Sequence, residues 1–208
     1  TIFKFCKKNK IGFLALEYSG HGKSYGKFEN GTITTWTEDT KKIIKRKIKN
    51  KKLIVIGSSM GGWIALNLFK VFKKNILAFI GIAPAPEFLD RLMWKKFTNK
   101  VKRQLIKDKF HKFNHGGYEY NISYNLIKDG RKNKIFNQTF NNKIFLTIFH
   151  GQKDDVVPIS ISRKILKIFT KAKKKLIIVK RGDHSLSNKR NLKRITNEIN
   201  SIYKKLRP

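Results

Sequence analysis

Acidic side chains are scarce in this chain. Thirteen Asp and Glu stand against 48 Lys and Arg, for a net charge of +35. Such an excess points to nucleic acid or an anionic membrane when it gathers on one face. Here it is spread: Lys51-Lys52, Lys95-Lys96 and Lys173-Lys174-Lys175 lie in different segments. Lysine outnumbers arginine, whereas phosphate forks favour arginine. The excess therefore reads as compositional drift. Loose polyanion binding is expected, and no specific nucleic-acid partner. Cysteine is nearly absent. The single Cys6 excludes an internal disulfide framework and fits a reducing, cytoplasmic compartment. No apolar run approaches the roughly 18 to 20 residues of a membrane span, so no transmembrane segment is expected. The opening stretch TIFKFCKKNKIGF lacks a signal peptide's long apolar region. No Cys/His cluster offers a metal site, and no cofactor motif stands. Repeats and Gly/Ser- or Pro-rich linkers are also missing. The 208 residues, 40% of them hydrophobic, suit one domain with a sizeable core.

What is present is a rhythm. Short runs rich in Ile, Val, Leu and Phe recur at 11–18, 52–58, 76–83, 143–151 and 175–182. With little polar alternation, they read as strands of a parallel sheet covered on both faces. Helix-like stretches lie at 36–49, 60–73, 160–171 and 189–206. Strand then helix, repeated, predicts an α/β doubly wound sheet. From about 84 to 142 the rhythm breaks. "PAPEFLDRLMWKKFTNKVKRQLIKDKF" predicts helix after Pro86, and "HGGYEYNISYNLIKDG" is mixed. This interval is expected to be a lid or cap inserted into a single domain, 1–208.

Where the strand 52–57 gives way to a helix near Met60, the chain reads "GSSMG". This is G-x-S-x-G with Ser59 at its centre. A nucleophilic serine must project from a sharp turn so that its oxygen stands clear of the sheet. Flanking side chains would collide there, hence Gly57 and Gly61. The backbone N–H of Met60 would then face a developing oxyanion at the helix's positive end. A close-packing turn is the plainer alternative. A serine also needs a base, and the base an orienter. "HGQKDDVVP" at 150–158 follows a strand and offers Asp154 and Asp155. "KRGDHSL" at 180–186 follows the next and offers His184. The order Ser, Asp, His is that of α/β-hydrolases, and each candidate sits just past a strand's carboxyl end.

These residues resemble the α/β-hydrolase superfamily. More narrowly, "FLALEYSGHGKSYG", "GSSMGGW", "HGGYEYNISYNLIKDG" and "HGQKDDVVP" resemble the mitochondrial palmitoyl-protein thioesterases of that superfamily and their bacterial relatives. The resemblance implies Ser59 as nucleophile, Asp154 as acid and His184 as base. It implies an α/β-hydrolase fold with a helical lid, and cleavage of an acyl ester or thioester through an acyl-enzyme. Asp154 is preferred as the fifth residue of H-G-x-x-D-x-x-V-P, with Asp155 and Asp183 read as turn residues. A carboxylesterase or small-lipid hydrolase with the same triad is the first alternative. A basic polyanion-binding protein on an inactive hydrolase scaffold is the second. Phe88, Leu92, Met93, Trp94 and Phe97 of the lid suit an acyl chain, or equally a covered core.

Other patterns fall away. "SGHGKS" at 19–24 ends like a phosphate-binding loop, but position 17 holds Glu17 in place of the required glycine. His21 of this loop is expected at the pocket mouth. His111 and His115, four apart in a helix-like stretch, lack the glutamate of a zinc protease motif. Trp36, Trp63 and Trp94 read as core or lid anchors. The superfamily normally places further strands, and a loop giving a second oxyanion N–H, before the run at 11–18. The pattern therefore predicts an N-terminally truncated chain lacking the first strands. It also predicts a gap in the sheet or a forced pairing of 11–18 with 52–57, and a chain that is marginally stable and poorly active.

Overall fold

The computed structural model describes residues 1–115 and 118–207. Residues Gly116 and Gly117 of "HGGYEY" lie outside the described residues. The chain divides into two compact units. The first comprises Thr1–Ala15, Asn50–Pro86 and Phe136–Pro208, the second Leu16–Lys49 and Glu87–Ile135.

The first unit is a four-stranded parallel sheet. Its strands are β1 (Leu53–Ser58), β2 (Ile76–Ile82), β5 (Phe145–Gly151) and β6 (Lys173–Val179), in that spatial order. Gly57 pairs with Gly81, Ile80 with Thr147, and Phe149 with Ile177. Helices α1 (Ile2–Lys8), α3 (Met60–Phe72), α6 (Ile159–Ile168) and α7 (Lys189–Leu206) accompany it. The period of two along β2 decides what each helix covers. Ala78, Ile80 and Ile82 pack with Ile195, Ile199 and Ile202 of α7, and Ile2 and Phe5 of α1 pack on the same cluster. Phe79 points the other way, with its ring 6.2 Å from that of Phe69 on α3. Phe69 in turn meets Phe140 and Phe169, whose rings stack at 4.7 Å. The sheet is thus covered on both faces, which explains why its central strands carry almost no polar residues.

One expected strand is absent from the ladder. Residues 11–18 pair neither with β1 nor with any other described strand. A strand exists only where a neighbour takes its hydrogen bonds. In the order the resemblance implies, the neighbour of 11–18 is a strand that is not among the described strands. Phe13 and Leu14 are accordingly exposed, and β1, with one ladder partner, is half-buried where a sandwiched strand was expected.

The second unit holds most of the interval expected as an insertion, together with residues 16–49. It contains α2 (Ile33–Ile48), a π-helical turn Leu89–Trp94, α4 (Asn99–Asp108), the antiparallel pair β3 (Phe110–His115) and β4 (Tyr118–Ser123), and α5 (Tyr124–Lys132). His111 and His115 lie in β3, not in the helix the sequence suggested. The register from Phe110 opposite Ser123 continues along the whole hairpin, and the ladder overrides the local helical spacing. The loop 19–24 leads into a turn with Gly20, Gly22 and Gly26 at positive φ; no helix starts at Lys23. Thr32 caps α2 in a reciprocal box with Thr35. At the same end the Asp129 carboxylate of α5 accepts from the Thr34 amide at 2.9 Å and its hydroxyl at 2.6 Å. A carboxylate at a helix's positive end is favourable, so this contact joins the two sequence-distant parts of the unit. Buried Glu87 accepts from the Arg91 guanidinium at 2.7 Å and the Ile135 amide at 2.9 Å, closing it from the other side.

Candidate active site

Ser59 sits between β1 and α3 with φ 48° and ψ −120°, a conformation that costs a non-glycine residue energy. The surrounding backbone holds it there. The Ser59 amide donates to the Ile82 carbonyl at 3.0 Å, and its carbonyl accepts from Gly62 and Ala85, each at 3.0 Å. The turn tolerates no side chain at two neighbours. A Cβ on Gly57 would lie 2.5 Å from the Gly61 carbonyl oxygen, and one on Gly62 would lie 2.5 Å from Pro84 Cβ. Ser59 occupies the N-cap of α3 but makes no side-chain cap. The caps Thr32, Thr98, Ser123 and Asn188 of α2, α4, α5 and α7 all do. The Ser59 oxygen is turned instead to His184, with 3.0 Å between Oγ and Nε2. Met60 is the first residue of α3, where a backbone N–H has no intrahelical acceptor.

His184 follows β6, and Asp154 follows β5. The two loops are knitted together by backbone bonds: Gln152 to the Val179 carbonyl at 2.9 Å and Lys153 to the Gly182 carbonyl at 2.8 Å. Gly151 allows this approach, because a Cβ there would run into the carbonyl oxygens of Asp183 and Gly182. His184 Nδ1 lies 2.9 Å from Asp154 Oδ2. The other carboxylate oxygen accepts from the amides of Val156 and Val157, at 3.0 and 2.8 Å. Only 1% of the Asp154 side chain is exposed. Burial pushes its carboxyl pKa up. The hydrogen bond from His184, the Val157 and Val156 amides and the nearby imidazole charge outweigh burial and hold it below the ordinary 3.8. Ser59, His184 and Asp154, 125 and 30 residues apart in sequence, therefore form one hydrogen-bonded chain within the first unit. Such a chain can take a proton from a hydroxyl and hold the charge that results.

The other candidates make other contacts. Asp155 is exposed and has no place in this chain. Asp183 closes a turn, accepting from the Leu186 amide at 2.8 Å. His21 belongs to the second unit, where its ring packs edge-on against Trp36 at 5.0 Å, Phe28 at 5.3 Å and Tyr18 at 5.5 Å. Trp36 and Trp63 are fully buried, and Trp94 is stacked by the Arg131 guanidinium at 4.7 Å. Among the described residues no group of three or more His, Cys, Asp or Glu is arranged to hold a metal ion.

One residue beside the chain was missed in the sequence. His150, wholly buried, lies with Nε2 3.3 Å from Asp154 Oδ2. Its signal was available as the opening residue of H-G-x-x-D-x-x-V-P. Nothing in that spacing says, however, that the ring turns back toward the aspartate.

Comparison with known proteins agrees with the fold. Residues 1–191 match a hydrolase family described as serine aminopeptidase, S33. The human palmitoyl-protein thioesterase ABHD10, mitochondrial, is 26% identical over 212 residues, covering 99% of this chain and 68% of the relative. A crystal structure of a hydrolase from Agrobacterium vitis superposes with a TM-score of 0.91 at 28% identity, over 97% of this chain and 80% of that one. The mouse alpha/beta hydrolase domain-containing protein 10 superposes at 0.86 and 24% identity, over 99% and 83%.

Proposed function

Since the chain belongs to the serine aminopeptidase, S33, family and is a hydrolase of α/β-hydrolase fold, we propose that it cleaves acyl thioesters or esters with Ser59 as nucleophile. His184 is the base and Asp154 the acid that orients it. The observation that carries this reading is the Ser59 oxygen withheld from its own helix cap and turned to His184 at 3.0 Å. His184 Nε2 accepts the Ser59 proton as Oγ bonds the acyl carbon. The Met60 amide receives the oxyanion. The imidazolium, neutralised by Asp154, returns its proton to the departing thiolate or alkoxide. Water then repeats the sequence on the acyl-enzyme and frees Ser59.

The thioester is favoured by the likeness to the human enzyme, which is a palmitoyl-protein thioesterase by name. A carboxylesterase or small-lipid hydrolase uses the same chemistry on an oxygen ester. The lone Cys6 fits a reducing compartment, for which we propose the cytoplasm, whereas the human relative is by name mitochondrial. Among the described residues no helix is long and apolar enough to cross a membrane.

The test is intact mass after a fluorophosphonate probe, with Ser59→Ala beside it, followed by a panel of acyl thioesters, p-nitrophenyl esters and an aminoacyl anilide. One adduct on the parent and none on the variant supports the reading. An adduct on both, or on neither, overturns it. Preferential turnover of the anilide would replace acyl-ester cleavage by peptidase chemistry, as the family description suggests.

A further inference from the structure

His150 lies one residue before the end of β5, is wholly buried, and has both ring nitrogens in hydrogen bonds. Nε2 lies 2.8 Å from the Val157 carbonyl oxygen. A carbonyl only accepts, so Nε2 carries the proton. Nδ1 lies 2.7 Å from Ser162 Oγ on α6. Burial disfavours the charged ring, and with Nε2 protonated the neutral ring leaves Nδ1 an acceptor, so the Ser162 hydroxyl donates. Ser162 is itself wholly buried. The tautomer is thereby locked from both sides, with Nε2 3.3 Å from Asp154 Oδ2, the oxygen that faces His184.

From this we infer that His150 is the positioning residue for Asp154. Its neutral Nε2–H donates to the Val157 carbonyl and so holds the loop whose Val157 amide donates to Asp154 Oδ1, which keeps the other carboxylate oxygen aimed at His184. The inference rests on the catalytic reading of Ser59, His184 and Asp154 given above. The physical need is clear. The Val156 and Val157 amides set the plane of the carboxylate through Oδ1, so the carboxylate is held only as firmly as the loop that carries those amides. The His150 N–H fixes that loop at the Val157 carbonyl, and the ring is itself anchored through Ser162 to α6 and through its own backbone to β5. The groups that bear on the ring electrostatically are Asp154, which favours a proton on it, and His184, which opposes one.

Two replacements separate positioning from packing. In His150→Asn the amide reaches only the position of Nδ1, so the Ser162 contact survives and the donor to the Val157 carbonyl is lost. In His150→Gln the amide reaches the position of Nε2 and restores that donor. Active sites are first counted with the fluorophosphonate probe, so that misfolded protein drops out. The kcat and KM per labelled site are then measured on a p-nitrophenyl ester. The low-field proton resonance of the His184 Nδ1–H bond to Asp154 is recorded on the same samples.

His150→Asn is expected to lower kcat per site about 30-fold with KM unchanged and to lose the resonance; His150→Gln keeps kcat within about fivefold and keeps the resonance. Ser162→Ala, which leaves Asp154, His184 and Ser59 untouched, should fall between them and keeps the test alive if His150→Asn does not fold. Parent-like kcat per site and an intact resonance in His150→Asn, or in Ser162→Ala where that is the variant that folds, overturn the inference and leave the catalytic reading standing. A parent that takes no probe overturns the catalytic reading instead. The resonance then decides positioning by itself: retained in the variant it overturns the role, lost it supports it.

Discussion

Replacing Asp154 by asparagine removes a charge while keeping the shape of the side chain, and the effect can be worked from the contacts of the carboxylate. It is buried, takes two amides on Oδ1 and faces His184 Nδ1 at 2.9 Å with Oδ2. The amide oxygen of asparagine will keep the Val156 and Val157 donors, since the opposite orientation would set an NH₂ against two N–H groups. The NH₂ must then face His184. It cannot accept, so Nδ1 becomes the acceptor and the ring proton moves to Nε2, where it points at Ser59. A base already protonated at that nitrogen cannot take the serine's proton. The charge is lost as well. Opposite charges about 3 Å apart at an effective dielectric of about 20 attract by about 5.5 kcal/mol. At about 1.4 kcal/mol per tenfold, that is about 10⁴ in rate, in line with the loss known for this substitution in serine-protease triads. The assay is the second-order rate of fluorophosphonate labelling, read by intact mass against time, with Asp155→Asn as the control that should label like the parent. Labelling of Asp154→Asn within tenfold of the parent would refute the reasoning, because neither the tautomer nor the charge would then matter.

Two further outcomes can be checked on stability. Gly151→Ala places a Cβ into the carbonyls of Asp183 and Gly182, so the two loops must part. Overpacking of this kind costs about 1 to 3 kcal/mol, or roughly 3 to 10 °C in Tm for a chain of this size. A thermal scan that finds no drop would contradict the close approach. The second concerns pH. The His150 pKa is lowered below 6.5, first by burial and against the pull of the Val157 carbonyl and Asp154. The unfolded chain therefore takes up this proton before the folded chain does. The resulting stability is full above about pH 6.5 and is lost as the pH falls through the folded value, by up to about 1.4 kcal/mol per pH unit. Urea midpoints from pH 7.5 to 5 should fall more steeply for the parent than for His150→Gln. Equal slopes would mean that His150 is not buried neutral. Asp154, also lowered, adds its loss only at more acid pH, below its ordinary 3.8.

Much of the molecule was legible because its signals are local. β1, β2, β5 and β6 each carry an apolar run, most complete in the two inner strands β2 and β5, since a strand sandwiched between helix layers has no wet face to mark with polar residues, whereas the edge strand β6 opens on Lys173, Lys174 and Lys175. The helix at 60–73 is read from the spacing of Trp63, Leu66 and Phe69, and α3 spans Met60–Phe72. Ser59, Asp154 and His184 could be singled out as candidates for a related reason: loops at strand carboxyl ends carry chemistry in open parallel sheets, so position along the chain already narrows the choice. The run at 11–18 misled because apolar content marks a wish to pair, whereas a ladder needs a partner. β3 misled in the opposite sense. His111 and His115 show helical spacing, and only the antiparallel pairing with β4 made the segment a strand.

Residue types at short separation were enough to specify the class of fold, the family and the turn at which Ser59 is strained. Apolar runs, glycines that exclude side chains and motifs at strand ends all act over a few neighbouring positions. Which oxygen faces which nitrogen is a matter of tertiary packing alone. That His184 lies 3.0 Å from Ser59 and 2.9 Å from Asp154 depends on β1 and β5 flanking β2 and β6 following β5 in one sheet, and on Gly151 admitting one loop against another. That a buried histidine stands behind Asp154 depends on where α6 brings Ser162. Hydrogen bonds act over about 3 Å, and no pattern along a chain encodes a distance that short between residues 30 or 125 positions apart.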